Sequence, residues 1–196
     1  MKIKLLAIMV SGLISLGIVD MAMATPIQDQ VSPSVNAWFN VDTSDMKWQQ
    51  EVVVGVGGLL SSIDIYADPV GVINFFLNSG SAWQSDPNNF SNLALNLPIS
   101  GWNSIDVSSA NLIYDVGDVF VIGMYGIGSN AAVMGSALPP LYTPGNLYFN
   151  GALFEGGNYD IAFRTYMTPV PEPSTFILLG AGLAGLAAMG IRRRKS

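Results

Sequence analysis

The chain has no histidine and no cysteine in its 196 residues, and only 11% of its residues are charged. Without imidazole or thiolate, Ser-His-Asp and Cys-His nucleophile systems and Cys/His zinc sites are excluded. A disulfide framework is excluded with them. Basic residues are scarce between Thr25 and Pro169, where twelve acidic residues face two basic ones, Lys47 and Arg164, for a net charge of −10. Phosphate groups are held by Lys and Arg clusters, so no nucleic acid partner is expected, and polyanions are disfavoured for the same reason. Long apolar runs are concentrated at the two ends of the chain.

The first end reads as a signal peptide over residues 1–24. Lys2 and Lys4 form a positive start, Leu5 to Val19 an uncharged apolar stretch, and Ala22-Met23-Ala24 an A-x-A cleavage site, so the mature chain is expected to begin at Thr25. A permanent membrane helix is the competing reading, but the apolar stretch would reach only ~22 Å of a ~30 Å hydrocarbon core. The other end has three parts. Val170-Pro171-Glu172-Pro173 is stiff and non-helical, because each proline fixes its own φ and pushes the preceding residue out of the α region. Residues 174–191 are uncharged and rich in Leu, Ala and Gly, ~27 Å long as a helix and just able to span a bilayer. Arg192, Arg193, Arg194 and Lys195 then form a basic stop that favours the cytoplasmic face.

This order of Val-Pro-Glu-Pro run, short apolar helix and basic terminus over residues 170–196 resembles the PEP-CTERM sorting signal of secreted proteins of Gram-negative bacteria. The resemblance implies recognition by exosortase, a membrane-embedded transpeptidase-like protease cutting near Pro171-Glu172-Pro173. It further implies transit through the secretion machinery, a transient inner-membrane stage held by residues 174–191, and a final place at the cell surface or in an exopolysaccharide or biofilm matrix. An extended backbone without internal hydrogen bonds suits a protease cleft, where a helix would first have to unfold.

The intervening segment, residues 25–169, reads as a single all-β domain, an antiparallel β-sandwich or jelly roll. It holds all fourteen asparagines, fifteen glycines and nine prolines, which cut it into pieces too short for most helices. Strands are predicted at 35–41, 51–56, 59–66, 70–77, 92–97, 118–125, 147–149 and 159–167. In the last, Ile161, Phe163, Thr165 and Met167 alternate with Ala162, Arg164 and Tyr166. Leu93, Leu95 and Leu97 alternate in the same way. Gly55-Val56-Gly57-Gly58 lacks the spacing of a dinucleotide-binding loop and reads as a turn, expected to close a hairpin. The run Asp160 to Tyr166 also resembles a last-strand pattern of secreted β-sandwich domains that precede this type of tail, and Tyr142 to Tyr148 and Gly117 to Ile122 resemble neighbouring pieces. That pattern brings no catalytic residues with it.

No catalytic constellation stands out. Asp42-Thr43-Ser44-Asp45, Asp64 with Asp68, and Asp115 with Asp118 offer oxygen ligands for a structural calcium, but none has EF-hand spacing, and Asp at strand ends commonly closes Asx turns. Nothing in the spacing of the carboxylates selects the facing pair that a glycosidase needs. Arg164 is expected to pair with a carboxylate. Trp83 and Trp102 lie in runs rich in Ser, Asn, Asp and Gly, read as loops, and are the candidate glycan contacts, since a flat ring can pack against a sugar. Trp38, flanked by strand residues, is expected in the core. Two functions remain: an exported, non-catalytic surface or matrix protein associated with exopolysaccharide, or a secreted carbohydrate-active hydrolase working with carboxylates.

Overall fold

A computed structural model describes residues 24–82, 90–128, 131–137, 142–170, 179–180 and 182–183. The expected signal peptide, Trp83, most of the tail and its basic terminus lie outside the described residues. The strands in chain order are β1 (Ile27–Ser32), β2 (Ala37–Asn40), β3 (Trp48–Val53), β4 (Gly58–Ala67), β5 (Gly71–Ser79), β6 (Phe90–Leu97) and β7 (Gly101–Asp106). They continue with β8 (Ile113–Tyr114), β9 (Val119–Gly126), β10 (Ala132–Ala137), β11 (Leu147–Phe149), β12 (Ala152–Leu153), β13 (Tyr159–Ile161) and β14 (Phe163–Thr168). All pairings are antiparallel. One sheet runs β1-β14-β4-β10-β13, with β2 on β10 and β7 and β8 on β4; the other runs β12-β11-β3-β9-β5-β6.

The domain is all-β, as expected, and the core lies between the two sheets. Ile63, Ile65 and Phe163 of the first sheet and Ile73, Phe120 and Ile122 of the second are completely buried in one hydrophobic cluster. Period-2 alternation sends Phe163, Thr165 and Met167 of β14 inward and leaves Arg164 and Tyr166 half-buried on the outer side. Trp48 closes one end, its ring 5.0 Å from Phe39 and Phe154 and 4.3 Å from Phe149, and its Nε1 donates to the Asn40 carbonyl at 2.7 Å.

Several expectations need correction. Gly55–Gly58 does not close a hairpin: β3 and β4 belong to different sheets, so the turn carries the chain across the sandwich. Asp29 of β1 holds it, its Oδ1 accepting from Gly55 N at 2.8 Å and Val56 N at 2.6 Å. The predicted strand 159–167 breaks at Ala162, which is buried rather than outward-facing. There the chain changes partners: Ala162 N donates to Met134 O, and Ala162 O accepts from Tyr66 N. The Leu93–Leu97 alternation is interrupted by Ala94, whose φ of 60° shifts the β5–β6 register, and Ala94 N donates to Asn74 Oδ1. Strands β1, β7, β8, β10 and β12 fall outside the strands read from the sequence. In β10 every residue but the last is buried, and Gly135 is required because a Cβ would strike the Asp160 carbonyl.

Candidate functional site

A polar cluster on the outer face is built across β7, β4 and β14. Because Ile63, Ile65 and Ala67 point inward, Ser62, Asp64 and Tyr66 point out, and the register sets Tyr66 beside Trp102, and Asp64 between Ser104 and Arg164. Arg164 pairs with a carboxylate, as expected: its Nη1 lies 3.8 Å from Asp64 Oδ2. Its guanidinium also sits 3.9 Å from the centre of the Trp102 ring, a cation–π contact, while Tyr66 meets that ring edge-on at 5.5 Å. Tyr166 donates its hydroxyl to Asp64 Oδ2 at 3.1 Å, and burial followed by the Asp64 carboxylate raises its phenol above the usual value. Trp102 therefore sits within a strand rather than a loop, and Arg164 occupies one face of its ring. The loop reading failed because Asn103 and Ser104, which look like turn formers, are a side chain capping the β7 approach (Asn103 Nδ2 to Ile99 O, 2.9 Å) and an outward strand residue.

Trp38 is the larger correction. It is 71% exposed, not in the core. Its neighbours Ala37 and Phe39 do turn inward, and Phe39 is buried, so parity places Asn36, Trp38 and Asn40 together on the outer face, all exposed. Trp38 pairs across to Met134 of β10. Asn36 Oδ1 accepts from Ala137 N at 2.8 Å, fixing the approach to β2. A large exposed indole flanked by two amides is an arrangement that the sequence did carry, in the Asn-x-Trp-x-Asn alternation.

The carboxylates do not assemble into a reaction centre among the described residues. Asp160 is the acid pushed up, to about 6, by burial, with Gln50 and the Tyr142 backbone pulling it back. It lies between the sheets: Gln50 Nε2 of β3 donates to its Oδ1 at 3.1 Å, and Tyr142 N donates to its Oδ2 at 3.3 Å. Gln50 Oε1 accepts from Ile161 N, so the pair bridges the two sheets. Tyr142, its phenol raised to about 12 chiefly by burial, adds a second bridge: its hydroxyl accepts from Val53 N and donates to Val53 O. Of the calcium candidates, Asp64 is engaged by Arg164 and Tyr166, and Asp118 closes its own turn by accepting from Asp115 N at 2.8 Å. No group of three or more acidic residues is placed to hold a metal ion among the described residues. An open depression of about 360 Å³ lies beside Ser79, Tyr114 and Asp118, where Tyr114 shares a hydrogen bond with the Ser79 hydroxyl and stacks on Phe120.

Both ends of the domain leave from one rim. Ile27 pairs with Met167 and Gln28 with Tyr166, so the expected cleavage junction, with Ala24 half-buried and Thr25 exposed, lies beside the end of β14. Thr168 is held by a 2.6 Å hydroxyl contact with Ser61, and the tail begins immediately after it. Of the sorting residues, Val170 is described and 52% exposed; Pro171, Glu172, Pro173, Ala22 and the basic residues Arg192 to Lys195 lie outside the described residues. The expected membrane-spanning helix over 174–191 is described only at Leu179, Gly180, Gly182 and Leu183, all helical, and no helix among the described residues is long and apolar enough to cross a membrane.

No curated protein matches the chain. Residues 169–195 match the family model described as the PEP-CTERM protein-sorting motif, one residue upstream at each end of the segment read from the sequence. The chain thus carries a PEP-CTERM protein-sorting motif at residues 169–195, which supports export and sorting by exosortase through a membrane-anchored stage.

Proposed function

We propose that the mature domain is a non-catalytic surface or matrix protein that associates with exopolysaccharide. The observation that supports this reading is Trp38, 71% exposed with Asn36 and Asn40 on the same face of β2. Exposing so large an apolar ring carries a hydration cost that a partner would remove, and neighbouring amides supply the hydrogen bonds that sugar hydroxyls need. The domain's charge of −10 points away from anionic polymers and toward an uncharged glycan. Asp160, the one carboxylate with a raised pKa among the described residues, is held between the sheets by protein partners, so it lends nothing to a hydrolase at the surface.

Among the described residues every member of the hydrophobic cluster lies between Phe39 and Met167, so residues 25–170 are the piece to test alone. That domain, passed over immobilised exopolysaccharide from the producing cells, should be retained without shortening the polymer. Replacing Trp38 by Ala should weaken retention about tenfold, the scale of one well-placed contact at ~1.4 kcal/mol. Equal retention of both proteins, or cleavage of the polymer, would contradict the reading.

A further inference from the structure

Exposed apolar side chains lie along the rim from which the tail leaves. Thr168 pairs with Leu59 of β4, and Leu59 pairs on its other side with Ile113 of β8, which is 65% exposed. A Cβ on Gly57 would meet Val116 Cγ2 at 3.7 Å, and one on the adjacent Gly58 would meet Pro169 Cα at 3.0 Å, so Val116 and the departing chain flank the same two glycines. Val116 is 69% exposed and Val170 52%. Exposed apolar residues gathered at one place, with polar surroundings, mark a contact surface more often than chance exposure does.

Chain length decides what that surface meets. Pro171 is three residues beyond Thr168, and even a fully extended chain carries it no farther than about 11 Å. An enzyme whose cleft closes on Pro171-Glu172-Pro173 is therefore brought against this rim. We propose that Ile113, Val116 and Val170 form an accessory docking surface for exosortase, so that the protease recognises the folded rim as well as the tail sequence. Asp115 and Asp118 border Val116, which disfavours an anionic lipid surface as the occupant.

The test is processing of the full-length chain in cells that carry the sorting machinery, read as the ratio of uncut to cut protein. The double variant Ile113→Ser with Val116→Ser should accumulate uncut precursor several-fold over the native chain. Both positions are largely exposed, and thermal unfolding of residues 25–170 with the same substitutions should match the native domain, separating a docking defect from misfolding. Inserting about ten Gly/Ser residues after Val170, ~17 Å of added reach, should slow processing to the level of the rim variant, because the cleft is then uncoupled from the rim. Native-rate cutting of the rim variant, or a lengthened chain cut as fast as the native one or faster, would overturn the proposal. Sedimentation of residues 25–170 with phosphatidylcholine vesicles, lost in the rim variant, would assign the surface to lipid and overturn it as well. Replacing Pro171, Glu172 and Pro173 by alanine should abolish cutting; if it does not, exosortase processing itself fails, and the docking surface with it.

Discussion

Asp160→Asn isolates one buried charge. In the folded domain the Asp160 carboxyl is raised by burial from 3.8 to about 6. A folded-state value above the unfolded one means that folding favours the protonated acid. The contribution is fully present below about pH 3.8 and is lost as pH rises through about 6. Two units at 1.36 kcal/mol each put this penalty at about 3 kcal/mol at pH 7. Asparagine is neutral throughout and keeps an acceptor for Gln50 Nε2, while its amide nitrogen faces Tyr142 N and forfeits that bond. At pH 4 the variant should therefore be slightly weaker than the native domain, and by pH 7 the difference should have moved about 2.4 kcal/mol in its favour, the unfolded carboxyl being already partly ionised at pH 4. Urea unfolding of residues 25–170 followed by tryptophan fluorescence at intervals from pH 4 to 7 measures this, and an unchanged slope against urea confirms a like-for-like comparison. Other carboxylates titrate in both proteins and cancel in the difference. Two stability curves running parallel across that range would refute the reasoning.

Other substitutions test the packing and the outer face. Phe120→Ala, at a completely buried ring stacked 5.2 Å from Tyr114, should cost about 3–5 kcal/mol, read as a fall in the urea midpoint. Tyr142→Phe removes the hydroxyl bonded to both backbone groups of Val53 and should cost about 1–2 kcal/mol by the same measurement. Gly135→Ala drives a methyl into the Asp160 carbonyl and should destabilise the domain, whereas Gly80→Ala meets no atom and is limited to the strain of its φ of 91°. Arg164→Ala should cost about 1 kcal/mol through the lost Asp64 and Trp102 contacts, and should change the Trp102 fluorescence.

Sequence alternation was a reliable guide where a strand has one wet face. In β4 and β14 the outward Asp64, Tyr66, Arg164 and Tyr166 interrupt the apolar side chains at every second place, and the all-β class and its last strand follow. Strand β10 was illegible because it is buried on both faces and built of small residues, so it has no alternation to read. The Gly55–Gly58 turn looked like a hairpin because local sequence marks a turn without saying which sheet receives the next strand; that choice is made by Asp29, 26 residues upstream of Gly55. Asp160 gave no sign of burial because its partner Gln50 lies 110 residues away. Trp38 is exposed despite its apolar size because its parity along β2 puts it on the same face as Asn36 and Asn40. The sorting motif was legible because a proline run, an apolar stretch and a cationic end are features of local composition, and residues 169–195 match its family model.

Mass spectrometry of the two ends of the exported protein tests the central claim most directly. The expected product starts at Thr25 and ends near Pro171-Glu172-Pro173, with the apolar segment and basic terminus gone. A protein recovered outside the cell that still ends at Ser196 would contradict it.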